Sequence, residues 1–234
     1  MVHGESPTPL PRMPRAALFD MDRTLLSTET ASLYVRYQRR IGEASTGDLL
    51  RTLRWVAQYT LGVLDHEAVA KKVIMNLAGT EEIAMTRRCD DWFIRDVDKF
   101  IAPAGRLAVA HHQAAGDVCA IVTGASLYAS RPLARRLGID HVVASEFEVD
   151  QAGRFTGHPS YPLCFSEGKL EKAKRFLDAQ GLSLRDAIFY SDSITDLPLL
   201  AAVGEPVAVN PDPRLARIAK KRRWRIETWR PAPV

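Results

Sequence analysis

The chain has 234 residues, 46% of them hydrophobic and 26% charged, with a net charge of +4. That balance excludes disordered and fibrous classes and leaves enough chain for one domain with a sizeable core, or a core plus a smaller insert. No apolar run approaches the roughly 18 residues of a membrane-spanning helix, and the first residues lack the apolar middle of a signal peptide.

Residues 1–14 carry Pro7, Pro9, Pro11 and Pro14 among small and polar residues, which predicts a disordered lead-in. Residues 15–20 then form a first strand, apolar on both faces through Ala16-Ala17-Leu18-Phe19 and ending in the acids Asp20 and Asp22. From Ser27 the texture changes. Helical spacing recurs in Leu33, Tyr34, Tyr37 and Ile41, in Leu49, Leu50, Leu53, Val56, Ala57 and Leu61, and in Val69, Val73, Ile74 and Leu77. An all-helical insert over 27–102 is predicted, its aromatic residues serving as packing.

Beyond Pro103 helices and strands alternate. Helices are predicted over Gly105–Ala115, Leu127–Leu137 (closed by Gly138), Glu167–Ala179, Asp196–Val203 and Pro213–Lys221. Strands are predicted at Val118–Val122, Val142–Ala144, Ala187–Tyr190 and Pro206–Val209, with a possible edge strand at Trp224–Glu227. A small hairpin joins Phe147–Val149 to Arg154–Thr156. Alternation of this kind implies an α/β fold, a Rossmann-like three-layer core with a mostly parallel sheet, assembled from 15–26 and 103–234 and interrupted by the helical insert.

Such sheets bind ligands beyond the carboxyl ends of their strands, and polar residues cluster at three strand ends. Asp20 and Asp22 follow the first. Alternation along an extended segment would aim both carboxylates together, and like charges so crowded need a cation or a proton, which makes a hard divalent ion such as Mg²⁺ a natural partner. An acidic turn without further duty is the alternative. Thr123-Gly124-Ala125-Ser126 follows the second, where a hydroxyl and a bare amide could meet one anion or Thr123 could simply cap a helix. Asp192 and Asp196 lie on a third such turn, as site carboxylates or as capping acids. Lys169, after Gly168 at a helix start, opposes the helix dipole, so it either neutralises an anion or is a solvated surface side chain.

Taken in order, Asp20-x-Asp22-x-Thr24, Thr123, Lys169 and Asp192-x-x-x-Asp196 resemble the four motifs of the haloacid dehalogenase-like phosphatases. The insert after the first motif looks like the cap of the phosphoserine-phosphatase-like branch, subfamily IB. The run at 131–140, the hairpin, Glu167-Gly168-Lys169 and Ser191-Asp192-Ser193 resemble small bacterial hydrolases that include histidinol-phosphate phosphatases.

The resemblance implies a Mg²⁺-dependent phosphomonoesterase acting on a small phosphorylated metabolite, best matched by L-histidinol phosphate. Asp20 would be the nucleophile and Asp22 the acid and base. Mg²⁺ would be held by Asp20, the main-chain carbonyl of Asp22 and Asp192. Thr123, Gly124 and Lys169 would cradle the phosphoryl group, with Asp196 orienting Lys169. Arg23, where a small residue is frequent, would reach the pocket mouth, and Glu29 matches an acid that meets a substrate amino group. Ser191 and Thr195 stand where Gly and Asn are common. Phosphoserine hydrolysis, phosphoryl transfer to another alcohol and a non-enzymatic phospho-acceptor switch are the competing readings.

Cys89, Cys119 and Cys164 are odd in number, widely spaced and outside any Cys-x-x-Cys pattern. Neither a disulfide framework nor a zinc cluster is expected, and a cytoplasmic protein with no membrane partner is. Arg214, Arg217, Lys220, Lys221, Arg222, Arg223 and Arg225 crowd the C-terminal segment. A solvated last helix with cations at its negative end accounts for them better than a nucleic-acid footprint, so no nucleic-acid partner is expected.

Overall fold

The computed structural model describes residues 14–45, 47 and 66–229. The lead-in up to residue 13 and the helix expected over Leu49–Leu61 lie outside the described residues. β1 (Ala16–Phe19) is fully buried, as a strand covered by helices on both faces must be. It pairs in parallel with β2 (Val118–Ser126) on one side and with β5 (Ala187–Ser191) on the other.

With β3 (His141–Val149), β4 (Phe155–Ser160), β6 (Glu205–Val209) and β7 (Arg225–Glu227) these strands form one seven-stranded sheet among the described residues, in the order β4-β3-β2-β1-β5-β6-β7. Only β3 and β4 are antiparallel. The chain works outward from β1 through β2 and β3 to β4, then crosses back to β5. The strand order therefore reverses at β1, and the crevice beyond the carboxyl ends of β1, β2 and β5 is where such a sheet takes its ligand.

Period-two alternation sorts the strand residues between two cores. Ala17, Phe19, Cys119, Ile121, Ile188, Tyr190, Val207 and Val209 face α4 (Pro103–Ala114) and α5 (Leu127–Leu137). Ala16, Leu18, Ala120, Val122, Ala187, Phe189 and Ala208 face α6 (Ser166–Ala179), α7 (Leu197–Ala202) and α8 (Pro213–Arg222). Local signals set the helix ends. Ser126 accepts from the Ala129 amide (3.2 Å) to open α5, and Gly138 closes it at φ 66°. Asp212 accepts from the amides of Arg214 (2.8 Å) and Leu215 (2.9 Å) to open α8, whose last turn carries Lys220, Lys221 and Arg222.

Between β1 and α4 the chain forms α1 (Thr30–Arg40), α2 (His66–Met75) and α3 (Glu82–Trp92). It leaves and re-enters the core side by side, the Ser27 amide donating to Phe100 O and the Ala102 amide to Leu25 O, both at 2.8 Å. The β3–β4 hairpin is bound to this helical segment through its backbone: the Gly79 amide donates to Phe155 O (2.8 Å) and the Phe155 amide to Thr80 O (3.0 Å). No helix among the described residues is long and apolar enough to cross a membrane.

Several boundaries change in detail, and the hairpin strand expected at 154–156 runs Phe155–Ser160 as β4. β1 stops at Phe19 rather than residue 20. β2 runs to Ser126 instead of ending at Val122, with its register against β3 shifting between those two residues. The two strands expected at 142–144 and 147–149 are one, β3, whose first half pairs with β2 and whose second half pairs with β4.

Candidate active site

Asp20 is the first residue beyond β1, and its amide donates to the Tyr190 carbonyl of β5 (2.9 Å), so strand pairing fixes its backbone. Its carboxylate meets the Lys169 ammonium, Nζ to Oδ1 at 2.8 Å. Lys169 comes from the first turn of α6 and also touches both oxygens of Asp196, at 2.7 and 2.8 Å. The Ser191 hydroxyl donates to Asp196 Oδ2 at 2.7 Å. All four residues are buried. Two carboxylates thus offset the unfavourable placement of a cation at the positive end of a helix.

Glycines let these elements approach. A β-carbon on Gly168 would lie 2.1 Å from the Leu163 carbonyl oxygen, so the turn that delivers Lys169 admits no side chain one residue earlier. A β-carbon on Gly124 would lie 2.4 Å from the Phe165 ring. Ser145 completes the junction, its hydroxyl donating to Gly124 O (3.0 Å) and accepting from the Cys164 amide (3.1 Å). The end of β2 and the start of α6 are joined through this one side chain. Thr123 is buried and its Oγ1 accepts from the Ala125 amide (3.2 Å); the helix cap there is Ser126, so capping does not explain Thr123.

The carboxylates of Asp20 and Asp22, expected to point together, go to different partners. The chain turns sharply over Met21–Leu25, with Arg23 in the left-handed region at φ 58°. Asp22 is carried to the start of α1, where its oxygens accept from the Thr30 amide (2.9 Å) and the Thr30 hydroxyl (3.0 Å). Arg23 pairs with Glu29. Glu29 is therefore already matched with a cation of the chain itself. Asp192 is placed by its backbone, its carbonyl accepting from the Asp212 amide at 2.8 Å.

Burial pushes the Asp20 carboxyl up to about 7, with Lys169 opposing the rise and Asp196 adding to it. Asp192 is raised well above the carboxylate range by burial and by the charges of Asp20 and Asp196. Burial also raises Asp22, against the two bonds from Thr30. Asp20 and Asp196 share the Lys169 ammonium, while Asp192 feels the charge of both carboxylates with Arg23 opposing the rise, so the acids of the site outnumber its cations. The donors present are oxygens; no group of three His, Cys, Asp or Glu side chains forms a ready-made metal cluster among the described residues. A site that binds an anion beside these carboxylates needs a further hard cation.

Thr30, Ser145 and Phe165 hold site residues without a sequence motif to announce them, and Ser191, though part of a motif, gives no sign in sequence of its bond to Asp196. Thr30 had one local signal, its place at the start of an amphipathic stretch just after Glu29.

Residues 17–201 match the family model of the haloacid dehalogenase-like hydrolases. The chain belongs to this family. Among relatives of this haloacid dehalogenase-like hydrolase, a histidinol-phosphatase of Neisseria meningitidis serogroup C is 31% identical over 220 residues, 92% of this chain and 98% of that protein. Phosphoserine phosphatase SerB1 of Mycobacterium tuberculosis is 30% identical over 223 residues, 92% of this chain and 71% of that protein. The solved structure of a Bordetella pertussis Tohama I protein of unknown function superposes with a TM-score of 0.80 at 34% identity, covering 92% of this chain and 99% of that one.

Proposed function

We propose that this hydrolase is a Mg²⁺-dependent phosphomonoesterase whose substrate is L-histidinol phosphate. The observation that carries the reading is the buried Asp20–Lys169–Asp196 group at the point where strand order reverses. It offers a carboxylate nucleophile beside a cation for a phosphoryl group, inside a family of hydrolases. The Neisseria histidinol-phosphatase, matched over 98% of its length, supports the substrate. The likeness to SerB1 favours phosphoserine as the second reading.

In the first step an Asp20 oxygen attacks phosphorus and the bond from phosphorus to the ester oxygen breaks, while Asp22 gives its proton to the departing oxygen. In the second, Asp22 takes a proton from water, the water oxygen attacks the same phosphorus, and the bond to Asp20 breaks to release inorganic phosphate. Lys169, the Thr123 hydroxyl and the Gly124 amide bind the phosphoryl oxygens, and Asp196 with Ser191 holds Lys169 in place. Burial raises the Asp22 carboxyl, the direction an acid requires. Asp20, Asp192 and the Asp22 main-chain carbonyl would hold Mg²⁺, which when bound neutralises charge on the transferring group. α1, α2 and α3 act as a cap that excludes water. The three cysteines are free and buried, which suits the reducing cytoplasm.

Phosphate release from L-histidinol phosphate, phosphoserine and glycerol phosphate, measured with Mg²⁺, tests the substrate. A preference of at least about tenfold in kcat/KM for histidinol phosphate is expected; equal turnover of phosphoserine overturns it. Binding of the ion is tested apart from activity. Mg²⁺ raises the melting temperature of the wild-type protein and leaves that of Asp192→Asn unmoved. A rise that persists in the variant places the ion elsewhere.

A further inference from the structure

We propose that Arg23 and Glu29 form an ion pair that positions Asp22, a role that rests on Asp22 being the proton donor of the reaction proposed above. The starting point is a broken local rule. Arg23 occupies φ 58°, where a β-carbon is strained and glycine is not. A side chain kept at such a position has work that glycine could not do.

Its surroundings show what that work is. Residues 22–30 close on themselves through three contacts. The Arg23 amide donates to Thr28 O at 3.1 Å. The Arg23 guanidinium pairs with Glu29, the side chains being 37% and 15% exposed. Thr30, the next residue, gives both its amide and its hydroxyl to Asp22. The ion pair is the one contact of the three made between two oppositely charged side chains. Losing either member removes the side-chain tie between residues 23 and 29. The start of α1 is then held to Arg23 by its amide alone, and Thr30 loosens its hold on Asp22. The pair thereby keeps the proton donor in register with Asp20, and both members are positioning residues.

Proton delivery matters most when the departing oxygen is a poor leaving group, so the test compares two esters. Glycerol phosphate needs a proton on its alkoxide; 4-nitrophenyl phosphate departs without one. Arg23→Gly suits the backbone at φ 58° and so keeps the fold. In this variant kcat falls about tenfold more for glycerol phosphate than for the nitrophenyl ester. Glu29→Gln gives the same ratio, and the double variant loses nothing further. Amide hydrogen exchange at Thr30 speeds up by about fivefold in both single variants, because its bond to Asp22 is the one weakened. Equal losses on the two esters overturn the proposal, as does a rise in KM for histidinol phosphate with Thr30 exchange unchanged, which would make Glu29 a substrate contact. If the wild-type protein releases phosphate from neither ester, the phosphatase reading fails by itself. The exchange rate at Thr30 then still decides whether the pair holds Asp22.

Discussion

Asp20→Asn abolishes phosphate release, with kcat reduced at least about 10⁴-fold, while the protein remains folded. The amide matches the carboxylate in shape but cannot attack phosphorus, so the loss falls on the chemical step. Stability should behave in the opposite sense. Burial and the nearby Asp196 raise the Asp20 carboxyl to about 7, so its ionised form is disfavoured where it stands. Replacing it with a neutral group removes that penalty and relieves Asp192, which Asp20 also pushes up. Lys169 keeps its contacts with Asp196. In the absence of a divalent cation the melting temperature of Asp20→Asn therefore equals or exceeds that of the wild-type protein, the pattern of a site shaped for reaction at the expense of stability. Parallel melting curves and phosphate assays check both halves. A variant that is inactive because it is unfolded would contradict the account.

Lys169→Met differs because it damages both. Lys169 is 4% exposed and carries the one ammonium shared by Asp20 and Asp196. Removing it leaves buried carboxylates facing one another with no cation, a loss of about 3 kcal/mol by analogy with broken buried ion pairs. In the proposed reaction the phosphoryl group also loses its cationic contact, and kcat falls by at least about 10³-fold. Lys169→Met combined with Asp196→Asn recovers part of the stability and none of the activity, since the second change removes an orphaned charge without restoring the cation. Denaturant titration of the single and double variants measures the first effect and single-turnover kinetics the second. Additive destabilisation would mean that the two side chains do not act as a pair.

Much of this arrangement is legible in the residues alone. Strand–helix alternation after Pro103 gives the parallel sheet, and polar residues after β1, in the last residues of β2 and after β5 mark the crevice. The order of Asp20, Thr123, Lys169, Asp192 and Asp196 identifies the family that the match over 17–201 shows. What sequence cannot supply is contact between distant residues. Ser145 breaks the apolar run of β3, yet the strand continues because a second partner, β4, takes over beyond it. Period-two alternation aims Asp20 and Asp22 together only if the strand persists, and the turn at Arg23 ends that. Ser191 stands where Gly is common, and only the fold shows its hydroxyl on Asp196. Likewise His112 joins Asp117 (2.6 Å) to the Tyr190 hydroxyl (2.9 Å) beneath the strand that anchors Asp20, with no motif to announce it.

In the proposed reaction the phosphoryl group passes through Asp20. Rapid acid quench during turnover of histidinol phosphate with Mg²⁺, followed by mass spectrometry of the peptide spanning residues 16–23, tests it directly. Phosphate is expected on Asp20 in the wild-type protein and none in Asp20→Asn. Steady turnover with that peptide unmodified, or phosphate on another residue, would contradict it.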